Sequence, residues 1–152
     1  AHYTDRSQIP YPDIYAGMTG DGSGNADLGR RIVHVLASNA VQYDWYILIV
    51  GHETCHFHEV WRVLQDGLGL PWQDSYLSTQ EGREFIQASN AAINYANTHQ
   101  IDITSPFMQS RFGNNSYEDA ADVCSFHYNL PQRLNSDVWT AMRAWANKWL
   151  HK

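Results

Sequence analysis

Apolar residues recur three and four positions apart through most of this 152-residue chain, the spacing that lines one face of a helix. Leu28, Ile32, Val35 and Leu36 follow it behind Asp27, so a first helix is expected there with Asp27 as its N-cap. The best strand candidate, Arg31 to Leu36, is covered by the same helical pattern. A second helix should start near Tyr43-Asp44, with Trp45, Leu48, Ile49, His52, Cys55 and His56 on one side, and end by Gly67 or Gly69. Residues 68–77 read as loop. Ser78 and Glu81 form a capping box that opens a helix through Phe85, Ile86, Ala92, Ile93 and Ala96 to about His99. Residues 101–114, with Pro106 and Gly113, read as irregular. Asn115 or Ser116 caps a helix from Tyr117 to about Tyr128, stopped by Pro131, and Ser136 caps a last one through Val138, Met142, Trp145 and Trp149. Residues 1–26 read as an irregular N-terminal segment. The expectation is one mainly α domain of five or six helices.

Composition narrows the partners. Hydrophobic residues make up 43% and charged ones 17%, which argues against disorder. Ten basic residues against sixteen acidic ones give a net charge of -6, with no Lys/Arg-rich run, so neither nucleic acid nor an anionic membrane is an expected partner. The longest apolar run, Trp45 to Gly51, is too short to cross a bilayer. The chain opens at Ala1 without a basic-then-apolar leader; a leader already removed would account for this and make the protein secreted. Six Trp, nine Tyr and few Lys suit a secreted protein that handles carbohydrate, because rings stack on sugar faces, or simply a Trp-rich core. A monomer is expected.

Two cysteines, Cys55 and Cys124, allow one connectivity. In a secreted chain a bridge is the default, and two buried thiols are the alternative. Asn114-Asn115-Ser116 is a glycosylation sequon. Asp21, Ser23, Asn25 and Asp27 alternate like calcium ligands, but the closing glutamate is missing, and a glycine-rich turn explains them better.

The chemistry concentrates in Gly51-His52-Glu53-Thr54-Cys55-His56, which contains H-E-x-x-H. Residues four apart share a helix face, so His52 and His56 could both ligate zinc while Glu53 activates water. Glu59 stands where the metzincin pattern needs Gly, which leaves the branch with a distant glutamate as third ligand. Glu118-Asp119-Ala120-Ala121-Asp122 resembles the E-x-x-A-D of gluzincin metallopeptidases, which implies Glu118 as ligand and Asp122 orienting a histidine.

The same glutamate supports a second reading, and sequence alone favours it. A glycosidase acid must stay protonated near neutral pH, which apolar surroundings achieve, and Glu53 follows the apolar run Trp45 to Val50. Glu53-Thr54, then Gly67-Leu68-Gly69-Leu70-Pro71-Trp72-Gln73-Asp74, then His127-Tyr128-Asn129 resemble in order and spacing the motifs of goose-type lysozymes and soluble lytic transglycosylases. The resemblance spans about Asp27 to Leu150 and implies a lysozyme-like single domain with a substrate cleft. Pro71-Trp72, His127 and Leu130-Pro131 depart from the family's pattern.

That resemblance implies a secreted glycoside hydrolase, or a lytic enzyme in which the sugar's own hydroxyl attacks, acting on a β-1,4-linked polysaccharide of peptidoglycan, chitin or chitosan type, with no cofactor. Glu53 would be the general acid. Asp66 is the first candidate base and Asp74 the second, because an inverting pair needs carboxylates about 6.5–9.5 Å apart. Gln73 and Asn129 would bind sugar hydroxyls, Tyr128 would steady developing charge, and Trp72 and Tyr76 would stack on rings. The alternative is a zinc enzyme with His52, His56 and Glu118 as ligands. Both readings pack the Glu53 helix against the Tyr117–Tyr128 helix, and so both expect Cys55 and Cys124 to be bonded.

Overall fold

The computed structural model describes residues 13–16, 24–28, 30, 32–35, 43–69, 71–103, 113 and 116–150. It is mainly helical. Among the described residues, five α-helices follow a small sheet: α1 Tyr43–Gln65, α2 Trp72–Ser78, α3 Gln80–His99, α4 Ser116–Asn129 and α5 Thr140–Trp149. Short 3-10 turns at Pro131–Leu134 and Asp137–Trp139 lead from α4 into α5.

The sheet corrects the expectation of an irregular residues 1–26 and of a helix from Asp27 to Leu36. β1 is Asp13–Ala16, β2 is Gly24–Asp27 and β3 is Ile32–Val35. β3 lies in the centre, parallel to β1 and antiparallel to β2, with Ile14 opposite Val33 and Asp27 opposite Ile32. Ile32 and Val35, which fit the helical spacing, are β-branched like Val33 between them and suit strand pairing as well. Asp27 does cap a backbone N–H three residues on, that of Arg30 at 2.9 Å, but it closes the turn between β2 and β3.

α1 ends where glycine was expected to stop it. Gly67 takes a φ of +69°, its N–H donates to the Leu64 carbonyl, and the Leu68 N–H donates to the Val63 carbonyl. This pair of bonds is a Schellman closure, which satisfies the last carbonyls of the helix. Residues 72–78, expected as loop, form α2 instead. The cap of α3 therefore moves one residue on: the Gly82 N–H donates to Thr79 Oγ1 at 3.0 Å, and Ser78 ends α2.

α1 pairs with α4, and α3 with α5, around a core that includes Val63, Phe85, Val123, Phe126, Met142 and Trp145. A second, smaller cluster of Val33, Ile49 and Phe57 fastens the sheet to α1. Gly51 lets α4 approach closely, because a Cβ there would run into the Ser125 and Asn129 side chains. Ser125 Oγ donates to the Leu48 carbonyl at 2.7 Å across the same contact. Cys55 and Cys124 are bonded, and the bridge joins α1 to α4. None of the described helices is long and apolar enough to cross a membrane.

Candidate metal centre between α1 and α4

His52, Glu53 and His56 lie on α1, and Glu118 and Asp122 lie on α4. The i, i+4 spacing puts the two imidazoles on one face, with ring centroids 4.8 Å apart. Glu118, in the first turn of α4, reaches both: its Oε2 is 2.7 Å from His52 Nε2 and 3.5 Å from His56 Nε2. One ligand atom from each of the three residues lies within 4.8 Å of the others. Tetrahedral zinc with bonds of about 2.1 Å sets its donors about 3.4 Å apart. The His56–Glu118 separation already matches that edge. The His52–Glu118 separation of 2.7 Å would open by about 0.7 Å, the change from a hydrogen bond to two donors sharing an ion. The donor set fits zinc.

The opposite nitrogens are also engaged. His52 Nδ1 is 2.6 Å from Asp122 Oδ1, and His56 Nδ1 is 2.8 Å from Glu59 Oε2. With Nδ1–H donated to a carboxylate, Nε2 keeps its lone pair for a metal. Asp122 and Glu59 are both buried. Asp122 stands where the gluzincin resemblance expects an orienting acid. Glu59 was given no role from sequence; its signal is its position one turn after His56 on the same helix.

Burial and charge shape the titrations. Burial works against a charged His52, but the hydrogen bonds to Asp122 and Glu118 outweigh it and push the pKa up to about 10. His56 is likewise raised to about 9: burial opposes the charge, and Glu59 and Glu118 win. Glu118 is held well below the ordinary carboxylate range, because bonds from the two imidazoles overcome its partial burial. Burial raises Glu53, against the pull of His52 and His56.

Glu53, His56 and Glu118 face an open cavity of about 390 Å³, whose walls include Ala26, Leu28, Trp72, Gln73 and Tyr117. Trp72 and Tyr117 meet edge to face at 5.4 Å, and Trp72 lies 5.3 Å from the His56 ring. Glu53, Trp72 and Gln73, placed together from sequence, do share this cavity, whereas Tyr117 carried no sequence signal beyond its place next to Glu118. Other expected site residues lie elsewhere. Asp66 follows the end of α1, 13 residues beyond Glu53 and so roughly 20 Å along the axis. Asp74 is exposed on α2, and Tyr76 is buried in the core at 1% exposure. Tyr128 and Asn129 are exposed in the last turn of α4. None of these five is among the described residues lining the cavity. Asp21, Ser23 and the sequon residue Asn114 lie outside the described residues, as does the Asn25 side chain. Asp27, the remaining candidate calcium ligand, holds the hairpin turn.

No family model, curated protein or solved structure matches the chain.

Proposed function

We propose that the chain is a zinc-dependent peptidase of the gluzincin kind, with His52, His56 and Glu118 as zinc ligands and Glu53 as general base. One observation supports this above all others: two Nε2 atoms and a Glu118 oxygen converge on one point while a carboxylate engages each Nδ1 atom. Such outer carboxylates are the usual companions of zinc-ligating histidines. Zinc held by His52, His56 and Glu118 would supply a Lewis acid for a carbonyl or water oxygen.

The chain's own residues then have distinct tasks. Glu53 sits between the two histidines in sequence and faces the cavity. Its raised pKa suits a group that takes a proton from the attacking water and passes it to the leaving amine. Trp72, Gln73 and Tyr117 form the wall against which a substrate is positioned. Secretion belongs to the same proposal, since a buried Cys55–Cys124 bridge is normally made in an oxidising compartment.

One observation favours the glycosidase reading. Glu53 is a partly buried carboxyl with a raised pKa, and it shares a cavity with Trp72 and Gln73, as a proton donor to a glycan would. Neither expected base, Asp66 or Asp74, is among the described residues lining the cavity, and the carboxylates on the two histidines go unexplained. Metal content and substrate decide between the two. The peptidase reading expects about one zinc per chain, loss of peptide cleavage with a chelator, and loss with E53Q. A metal-free protein that cleaves a β-1,4-linked glycan, indifferent to chelator and inactivated by E53Q, would replace it.

A further inference from the structure

A helix that ligates through two histidines one turn apart has one more position on the same face, three residues further on. In this chain it is Glu59. Its side chain is only 2% exposed, so it is not a solvated surface acid. A carboxylate is costly to bury and needs a compensating partner. The partner is the His56 imidazole, at 2.8 Å from Oε2, and Oε1 meets no hydrogen-bond partner among the described residues. Another buried acid, Glu81, is arranged differently: it is shared between His58 Nε2 at 2.9 Å and Arg62 Nη2 at 3.5 Å. Glu81 has a cation to answer it. Glu59 has the ring of a candidate ligand.

Resting on the zinc-site reading above, we propose that Glu59 is a positioning residue for that site, holding the His56 ring in the orientation and tautomer that aim Nε2 at the metal. The ligating unit on α1 is then H-E-x-x-H-x-x-E, spanning His52 to Glu59. His52 is oriented from α4 by Asp122, and His56 is oriented from within its own helix. Glu59 does not touch the cavity and acts through His56 alone.

The test measures cobalt(II) affinity of the metal-stripped protein by its visible absorption, for the unaltered chain, E59Q and E59L, with circular dichroism melts of each metal-free form. E59Q keeps the shape and an acceptor oxygen but removes the charge. E59L removes both. Affinity should fall by about 10-fold in E59Q and about 100-fold in E59L, the range for loss of such outer-shell partners, with the His-ligand bands altered in E59L. The metal-free fold should persist in E59Q. Equal affinity in the unaltered chain and either folded variant would overturn the assignment. So would failure of E59Q to fold, since the carboxylate would then support the core rather than the ligand. An unaltered chain that binds no cobalt or zinc would instead bring down the zinc-site reading itself, a result separate from any difference among the variants.

Discussion

Asp122 Oδ1 lies 2.6 Å from His52 Nδ1, although the two residues are 70 positions apart in the chain. The contact fixes which imidazole nitrogen faces Glu118. Replacing Asp122 with Ala should lower zinc affinity by about 10- to 100-fold. D122N should fall between, because an amide oxygen can still accept from Nδ1–H. Competition with a chromogenic chelator measures both, and affinities equal to the unaltered protein would remove Asp122 from the site.

On the zinc-site proposal, zinc and protons would compete for the same nitrogens. In the metal-free fold His52 holds its proton up to about pH 10 and His56 up to about pH 9. Loading zinc at pH 7 should therefore release about two protons per chain. Titration calorimetry in buffers of different ionisation enthalpy counts them. The sign for stability follows from the same shift. The folded pKa of His52 is above its ordinary 6.5, so its contribution to the metal-free fold is complete below that value and is lost as pH rises through about 10. Chelated protein should melt at a lower temperature at pH 10 than at pH 6.5, and a curve flat over that range would contradict the His52–Asp122–Glu118 arrangement.

The disulfide should govern the site as well as the fold. Cys55 precedes His56 directly, and Cys124 follows Asp122 by two residues. Opening the 69-residue loop between them should cost about 4 kcal/mol in the chain-entropy model. The double variant C55A/C124A should melt well below the unaltered protein and bind zinc more weakly in whatever fraction stays folded. Unchanged zinc affinity would separate the bridge from the ligands. Both cysteines are buried, so mild reductant should act slowly on the folded protein and quickly once it is unfolded.

Gly51 should tolerate no side chain. G51A places a methyl against Ser125 and Asn129 and should destabilise by about 1–3 kcal/mol. At roughly 2–4 °C per kcal/mol, the melting temperature should fall by several degrees. G69A is the control, since a Cβ there meets nothing within 4 Å. Equal melting temperatures for the two variants would mean that α1 and α4 are not in this close contact.

The meeting of His52, His56, Glu118 and Asp122 was legible where chemistry and helical spacing coincide, although the sequence favoured a metal-free reading of Glu53. His52 and His56 are one turn apart, Glu118 and Asp122 are one turn apart, and the two pairs of helical positions had only to meet. The elements before α1 were harder. Ile32 and Val35 fit a helical stripe, and only pairing with β2 across a tight turn and with the more distant β1 makes them part of a strand. α2 has seven residues, about two turns, too few for a period to stand out. Glu59 was illegible for another reason. A glutamate on a helix is ordinarily solvated, and its burial depends on what packs over that turn rather than on its neighbours in sequence. Tyr76 erred the opposite way: an aromatic beside Trp72 reads as a cavity wall, but α2 turns its ring into the core.

The split of the proposed ligand set between α1 and α4 also has a consequence during synthesis. Sixty-two positions separate His56 from Glu118 in the chain. A ribosome that has finished α1 has produced both imidazoles but not the carboxylate that joins them, nor the Cys124 that holds the two helices together. The emerging chain therefore carries an incomplete site until α4 has left the exit tunnel and docked. On the zinc-peptidase proposal, the chain would be inactive towards itself and its neighbours until most of it had been made.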